Sequence, residues 1–190
     1  MSVLSDLSII DLCKTETPMI EPFVDHSVRL NDQGEKIPSY GLSSYGYDVR
    51  LAPLFEVFKD TNPPTVIDPC NPPEGIYEQI EGESAVIPPH GYMLAHTLEY
   101  IRVPRDVIIT CLTKSTYARL GIMINVTPLE PGWEGQLVVE IANLTNHFVK
   151  ITAGVGIAQF VFHKGDQPCK VAYSDRNGKY QKQTGIRHAE

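Results

Sequence analysis

Val107-Ile-Ile-Thr-Cys-Leu-Thr-Lys-Ser-Thr-Tyr-Ala-Arg-Leu-Gly-Ile-Met-Ile-Asn-Val126 decides the fold class. Its two ends, Val107–Cys111 and Ile122–Val126, are short apolar runs rich in β-branched residues, the composition of a half-buried strand. Between them Lys114, Ser115, Thr116 and Arg119 crowd into one short segment. Tyr117–Leu120 can form a single helical turn there. Two cations and two hydroxyls this close suit a polyanion better than a packed core, because phosphate oxygens accept charge-assisted hydrogen bonds from such groups. A solvated turn fits the same residues, and the local pattern alone does not choose between the two. G-x-x-x-x-G-K is absent, so this is not a Walker loop.

The β pattern extends on both sides. Tyr47–Leu51, Leu54–Phe58, Ala85–Ile87, Tyr92–Ala95, Gln136–Ala142, His147–Ile151 and Ile157–Phe162 read as strands. Fifteen prolines and fourteen glycines punctuate them. Strands recurring about every ten residues with turn signals between them predict a sandwich, jelly roll or barrel. Ser5–Lys14 is the clearest helix, with Ser5 as cap, Asp6 in the first turn, Lys14 in the last, and Leu7, Ile10 and Cys13 at helical spacing. Asn62-Pro-Pro64 and Pro69-Cys-Asn-Pro-Pro73 read as surface excursions. The polar end from Ser174 to Glu190, with an Asn177-Gly178 turn, fits a disordered tail or a flap over a site.

A chain of 190 residues fits one domain and is long enough for its own core. Its 42% hydrophobic and 21% charged content is ordinary for a globular protein, and its net charge is −7. That acidity argues against nucleic acid as a partner, which rewards dense Lys/Arg patches. It leaves room for a small anion held by local cations. The four cysteines are widely spaced with no C-x-x-C pair, which predicts reduced thiols and a cytoplasmic location. No apolar run approaches the length of about 18 residues that a membrane helix needs.

Glu140 stands alone in an apolar run, Leu137-Val-Val-Glu-Ile-Ala142. Strand alternation puts it with Val138 and Ala142, opposite Leu137, Val139 and Ile141. It is either a surface acid or a carboxylate turned into a pocket, where desolvation would raise its pKa toward that of a general acid/base. Before it, Thr127-Pro-Leu-Glu-Pro-Gly-Trp-Glu-Gly135 makes a rigid turn holding the only Trp. Glu134 reads toward solvent, and Glu130 stays open between ligand and solvent. His188-Ala-Glu190 matches half of a zinc-deaminase signature, but P-C-x-x-C is absent and the other histidines lack ligand spacing, so no protein-bound zinc is expected. Ser115 has no signal for a His partner, and G-x-S-x-G is absent.

Several long motifs occur in order: Met19-Ile-Glu-Pro-Phe23, Gly41-Leu-Ser-Ser-Tyr-Gly-Tyr-Asp-Val-Arg50, Lys114-Ser-Thr-Tyr-Ala-Arg119, Asn125–Gly135, Gly156-Ile-Ala-Gln159, Gly178-Lys-Tyr-Gln181, Gln183 and Gly185. On these residues the chain resembles the dCTP deaminases of the dUTPase-like superfamily, over nearly its whole length. The resemblance implies a mainly β fold, a dUTPase-like barrel or jelly roll with a short N-terminal helix. It implies one domain over 1–190, with 174–190 as a flap, assembled as a homotrimer that shares active sites between subunits. It implies conversion of dCTP to dUTP and ammonia without zinc, with Mg²⁺ arriving on the triphosphate.

By position, the resemblance makes Glu140 the acid/base, Ser115 the residue that places the attacking water, and Arg119 a hydrogen-bond donor near Glu140 and the base. Lys114, Ser115, Thr116 and Arg119 fall in the nucleotide-binding segment. Val138 and Val139 would read the pyrimidine through backbone groups, and Gln159, Tyr173, Lys179 and Gln183 would contact sugar or phosphates. Feedback inhibition by dTTP is a further family expectation.

Two departures stand out. Thr113 occupies a position where the family usually has Gly, a substitution expected to reshape the phosphate site. The turn Thr127–Glu130 is shorter than in some members and lacks their Arg. Two other readings remain: a bifunctional enzyme that also releases dUMP and pyrophosphate, with Glu130 activating water, and a non-catalytic nucleotide-binding trimer.

Overall fold

Alternating apolar residues and closely spaced turn formers give a chain built from strands, described in a computed structural model over residues 2–61 and 64–189. A short strand β1 (Ser2–Val3) leads into helix α1 (Asp6–Cys13), then β2 (Ile20–Glu21), β3 (Ser27–Leu30), β4 (Lys36–Ser43) and the long β5 (Gly46–Phe58). The middle of the chain forms β6 (Tyr77–Glu81), β7 (Ser84–Ile87), β8 (Tyr92–Arg102) and β9 (Val107–Thr113). A one-turn helix α2 (Ser115–Arg119) separates β9 from β10 (Ile122–Asn125). β11 (Glu134–Asn143), β12 (Val149–Thr152), β13 (Gly156–Lys164) and a 3₁₀ turn at Tyr173–Arg176 complete it.

All strand pairs are antiparallel, along the path β1-β13-β5-β8-β11-β10. β9 pairs with β13, β6 and β4 with β5, and β12 with β7. The mainly β reading with a short N-terminal helix therefore stands. Tyr47–Leu51 and Leu54–Phe58, read as two strands, are one. The first half of β5 pairs with β4 and β13, the second with β6 and β8, and the register to β8 shifts between Leu51 and Phe55 around Pro53. Proline has no N–H to give a ladder, so the apolar pattern breaks where the strand continues.

Likewise β8 runs on past Ala95, because His96, Thr97 and Glu99 are buried with partners rather than exposed. Glu99 accepts from the Arg50 backbone N–H at 2.9 Å and from its Nε at 2.8 Å, tying β5 to β8. Burial still pushes the Glu99 carboxyl up, against the opposing pull of Arg50.

Tyr47, Phe55, Phe160 and Phe162 are fully buried between the strands, each contributing about 1.5–3 kcal/mol of hydrophobic stabilisation. In α1 the expected face is rotated: Leu7 is 70% exposed and Ile9, with Cys13, enters the core. Ser5 precedes the helix as expected but makes no side-chain cap. Of Asn62-Pro-Pro64, Asn62 and Pro63 lie outside the described residues, and Pro69–Pro73 is largely exposed. No disulfide links the four cysteines, and among the described residues no helix is long and apolar enough to cross a membrane.

The polar C-terminal segment is not a loose tail. Gln136 N–H donates to the Gln183 carbonyl at 2.9 Å, Gln183 Nε2 returns to the Gln136 carbonyl at 2.8 Å, and Lys182 N–H reaches Glu134 O at 2.8 Å. Gly135, at φ +151°, makes this contact fit: a Cβ there would sit 2.9 Å from Gln183 O and 3.1 Å from its N.

Candidate active site

Glu140 sits in β11 opposite Leu94 of β8 and Asn125 of β10. A bulge between Gln136 and Val138 locally breaks the alternation, so Leu137, Val138 and Glu140 all border one hollow of about 560 Å³. Trp133 and Leu94 add apolar wall. Phe58, Tyr77 and Tyr92 add an aromatic one, with Phe58 stacked on Tyr77 at 4.7 Å and on Tyr92 at 5.2 Å. The strand pattern alone left room for a surface acid, but Glu140 Oε2 is buried and has no hydrogen-bond partner among the described residues. Burial pushes its carboxyl from the usual 4.5 up to about 7. A carboxyl of that acidity can both take and return a proton near neutral pH. Burial and the nearby Glu140 push the Tyr92 phenol up to about 12 and raise Tyr77 too, so both rings remain neutral donors.

The C-terminal segment forms the facing wall. Trp133 Nε1 donates to the Tyr180 carbonyl at 3.0 Å, and Tyr180 N–H donates to the Tyr173 hydroxyl at 3.2 Å. Tyr173, Tyr180 and Gln183 line the hollow. Gln183 is buried and its Oε1 lacks a partner among the described residues. Beyond them His188 hydrogen-bonds Glu56 and stacks on Tyr77 at 4.9 Å. Arg105 anchors the 3₁₀ turn through Asp175 at 2.6 Å and holds that carboxyl down at about 2. Glu130 also borders the hollow, but its carboxylate is bound by Arg176. Glu134, expected in solvent, is half-buried and faces Arg102 Nε at 3.8 Å and Lys182 Nζ at 3.5 Å.

The other candidate residues lie elsewhere on the chain. Lys114 ion-pairs with Asp48 and donates to Ser39 Oγ at 3.2 Å. Ser115, Thr116 and Arg119 are exposed on α2. Lys114, Ser115 and Thr116 border a second hollow, of about 550 Å³. Gln159 stands opposite Asp48 and Leu112 in the sheet, on the Lys114 side. Lys179 lies 5.2 Å over the Tyr180 ring. Val139 is fully buried in the core, so of the valine pair only Val138 borders the hollow. Within one chain, then, Glu140, Val138, Tyr173 and Gln183 come together, and neither Ser115 nor Arg119 borders their hollow.

Thr113 ends β9 in ordinary strand pairing with Ala158, and its Oγ1 accepts from Ile124 N–H at 2.9 Å and donates to the Ile124 carbonyl at 3.3 Å. It pins β10 beside β9, a structural task that a glycine cannot perform. No local sequence pattern marks Asp48, Tyr77, Tyr92 or the Glu56–His188 pair. Asp48 lies inside the Gly41–Arg50 motif, but its partner Lys114 is 66 residues away. Among the described residues no three His, Cys, Asp or Glu side chains converge as a metal-binding group. His188 is engaged with Glu56, and Glu190 lies outside the described residues.

Residues 3–165 match the family model for dCTP deaminase-like domains. A dCTP deaminase of Acinetobacter baylyi is 49% identical over 186 residues, covering 98% of this chain and 97% of the relative. One from Psychrobacter arcticus is 50% identical over 188 residues, again covering 98% and 97%. Among solved structures, the crystal structure of 2'-deoxycytidine 5'-triphosphate deaminase from Agrobacterium tumefaciens matches 86% of this chain with a TM-score of 0.60 at 19% identity. The match spans 48% of that structure's chain and bears on the fold alone.

Proposed function

The chain belongs to the dCTP deaminase-like family, and on that footing we propose that it hydrolyses dCTP to dUTP and ammonia with Glu140 as general acid/base. The observation that carries this reading is the Glu140 carboxyl itself, half-buried at an aromatic-walled hollow and pushed up to about 7. Water adds to C4 of the cytosine as Glu140 takes one of its protons and passes it to N3, leaving a hydroxyl on C4. The tetrahedral intermediate then collapses: Glu140 carries the C4 hydroxyl proton to the amino group, the C4–N4 bond breaks, and ammonia leaves the uracil product. Glu140 ends the cycle in its starting state. Both transfers need a carboxyl balanced near neutral pH. Backbone groups at Val138 read the pyrimidine edge, while Tyr173, Lys179, Gln183 and Gln159 meet sugar and phosphates.

Ser115 and Arg119 come to this hollow from a neighbouring subunit of a homotrimer. Ser115 orients the water and Arg119 steadies the carboxylate and base, since orientation must supply what no metal activates. A second subunit also accounts for apolar surface around β10 and the loop after β11. Leu120, Met123, Leu144 and Phe148 are 62%, 45%, 60% and 74% exposed there. The segment 174–190 closes over the bound nucleotide. Mg²⁺ travels with the triphosphate and neutralises its oxygens, because this ion keeps its water and binds phosphates more readily than a protein cage.

The bifunctional alternative needs Glu130 to activate a second water; its carboxylate pairs with Arg176, both side chains being about half exposed, and a pair of that kind opens at little cost. Deamination is the favoured reading because Glu140, a carboxylate that triphosphate hydrolysis does not need, stands in the hollow. Incubating the protein with dCTP and Mg²⁺ tests it. Ammonia and dUTP accumulating in equal amounts is the expected result, dUMP with pyrophosphate would favour the bifunctional enzyme, and unchanged dCTP would overturn both.

A further inference from the structure

The geometry points to a polyphosphate subsite built by the β3–β4 hairpin, in which Arg29 and Lys36 are the cations that meet the outer phosphates. This rests on the nucleotide reading above and adds two residues to it. The second hollow is bordered by Arg29, Lys36 and Ser39 from the hairpin strands and by Lys114, Ser115 and Thr116 from the β9–α2 junction. Lys114 looked like the phosphate-binding cation in the sequence. In the fold its charge is already committed: it is 13% exposed, paired with an Asp48 that is 7% exposed, and bonded to Ser39. A buried pair of this kind is close to neutral for a ligand outside it, and drawing Lys114 away would leave Asp48 uncompensated.

Arg29 and Lys36 are in the opposite situation. Both are exposed, and neither has a carboxylate partner among the described residues. The acid nearest in sequence, Glu35, accepts from Asn31 Nδ2 at 2.9 Å and does not border the hollow, and neither does Asp32. The hairpin therefore presents two uncommitted cations beside two exposed hydroxyls, Ser115 and Thr116. On a chain of net charge −7 such a spot concentrates anions locally. A triphosphate fits: its outer phosphates carry several charges and many acceptor oxygens, which guanidinium, ammonium and hydroxyl groups satisfy together. With Ser115 turned toward a neighbouring subunit's Glu140, the hairpin beside it lies where the phosphate chain of that nucleotide would run.

The test uses the full-length protein and inorganic tripolyphosphate as probe, measured by isothermal titration calorimetry. The wild type is expected to bind it, and Arg29→Gln/Lys36→Gln to bind about tenfold more weakly with a shallower salt dependence, the loss of two partly screened charge contacts. Thermal melting checks that the variant stays folded, and Lys36→Glu should weaken binding further than Lys36→Gln. No tripolyphosphate binding by the wild type, or equal affinity in the double variant, overturns the subsite. The KM for dCTP of the double variant is expected to rise about tenfold in step with the calorimetry. If the wild type does not deaminate dCTP, the deaminase reading fails while the tripolyphosphate measurement still decides the subsite.

Discussion

Glu140→Gln carries a stability signature that follows from burial alone. The folded chain holds the Glu140 carboxyl at about 7, against 4.5 in the unfolded chain, because burial penalises the ionised form. A raised carboxyl means that the folded state binds the proton more tightly, so this group's contribution to stability is fully present below pH 4.5 and is lost as pH rises toward 7. At 1.36 kcal/mol for each tenfold change in acidity, the cost at pH 8 has an upper bound of about 3 kcal/mol, reached where burial acts alone and reduced where a neighbouring subunit's Arg119 meets the carboxylate. Glutamine does not ionise and escapes this cost. Urea denaturation of both proteins at one fixed protein concentration, across pH 4.5 to 8, measures it. The Gln amide has packing and hydrogen-bond effects of its own, but these do not vary with pH. The diagnostic is therefore the change in the stability difference: the variant should gain on the wild type by up to about 3 kcal/mol as pH rises. A difference that stays constant over that range would refute the buried, proton-holding carboxyl.

The same variant should lose about 10²–10⁴-fold in dCTP turnover, the usual weight of a positioned acid/base, while calorimetric binding of dCTP persists. Gly135→Ala should cost about 1–3 kcal/mol through backbone strain and displacement of Gln183, and should speed amide exchange across residues 180–185 by hydrogen-exchange mass spectrometry. Truncation after Gly178 should raise the KM for dCTP by removing Lys179 and Gln183, and an unchanged KM would show that the C-terminal segment takes no part in binding.

How much of this was readable depends on how local the determining contact is. Runs such as Val107–Cys111 and Ile157–Phe162 announce strands because β-branched and aromatic residues fit a pleated surface wherever they occur. The local pattern misleads where polar residues are buried with distant partners. β8 continues past Ala95 although Glu99 looks like a surface residue, because Arg50 of β5 lies beside it. Pro53 split β5 for a similar reason: the proline is local, but the strands that carry the ladder across it are not. Leu7 and Ile9 exchanged places because an eight-residue helix with several apolar positions can present more than one face.

The site shows the same division. Glu140 was conspicuous in its apolar run, but its burial depends on a bulge and on aromatic rings from β5, β6 and β8. The sequence singled out Lys114 by its charge and hydroxyl neighbours. Only the fold reveals that Asp48 claims that charge and that the β3–β4 hairpin, unmarked by any strong strand pattern, brings two others beside it.

Mixing two inactive variants tests most directly whether the Glu140 hollow is completed by Ser115 and Arg119 of another subunit. Glu140→Gln and Arg119→Ala chains, each nearly inactive alone, are unfolded and refolded together in equal amounts, and ammonia release from dCTP is measured. In a ring of head-to-tail contacts, an intact site forms where the hollow of an Arg119→Ala chain meets α2 of a Glu140→Gln chain. Random assembly makes this about one interface in four, so about a quarter of wild-type activity should return. No recovery in the refolded mixture, when wild type refolded in the same way is active, would contradict a shared site, as would full activity in either variant alone.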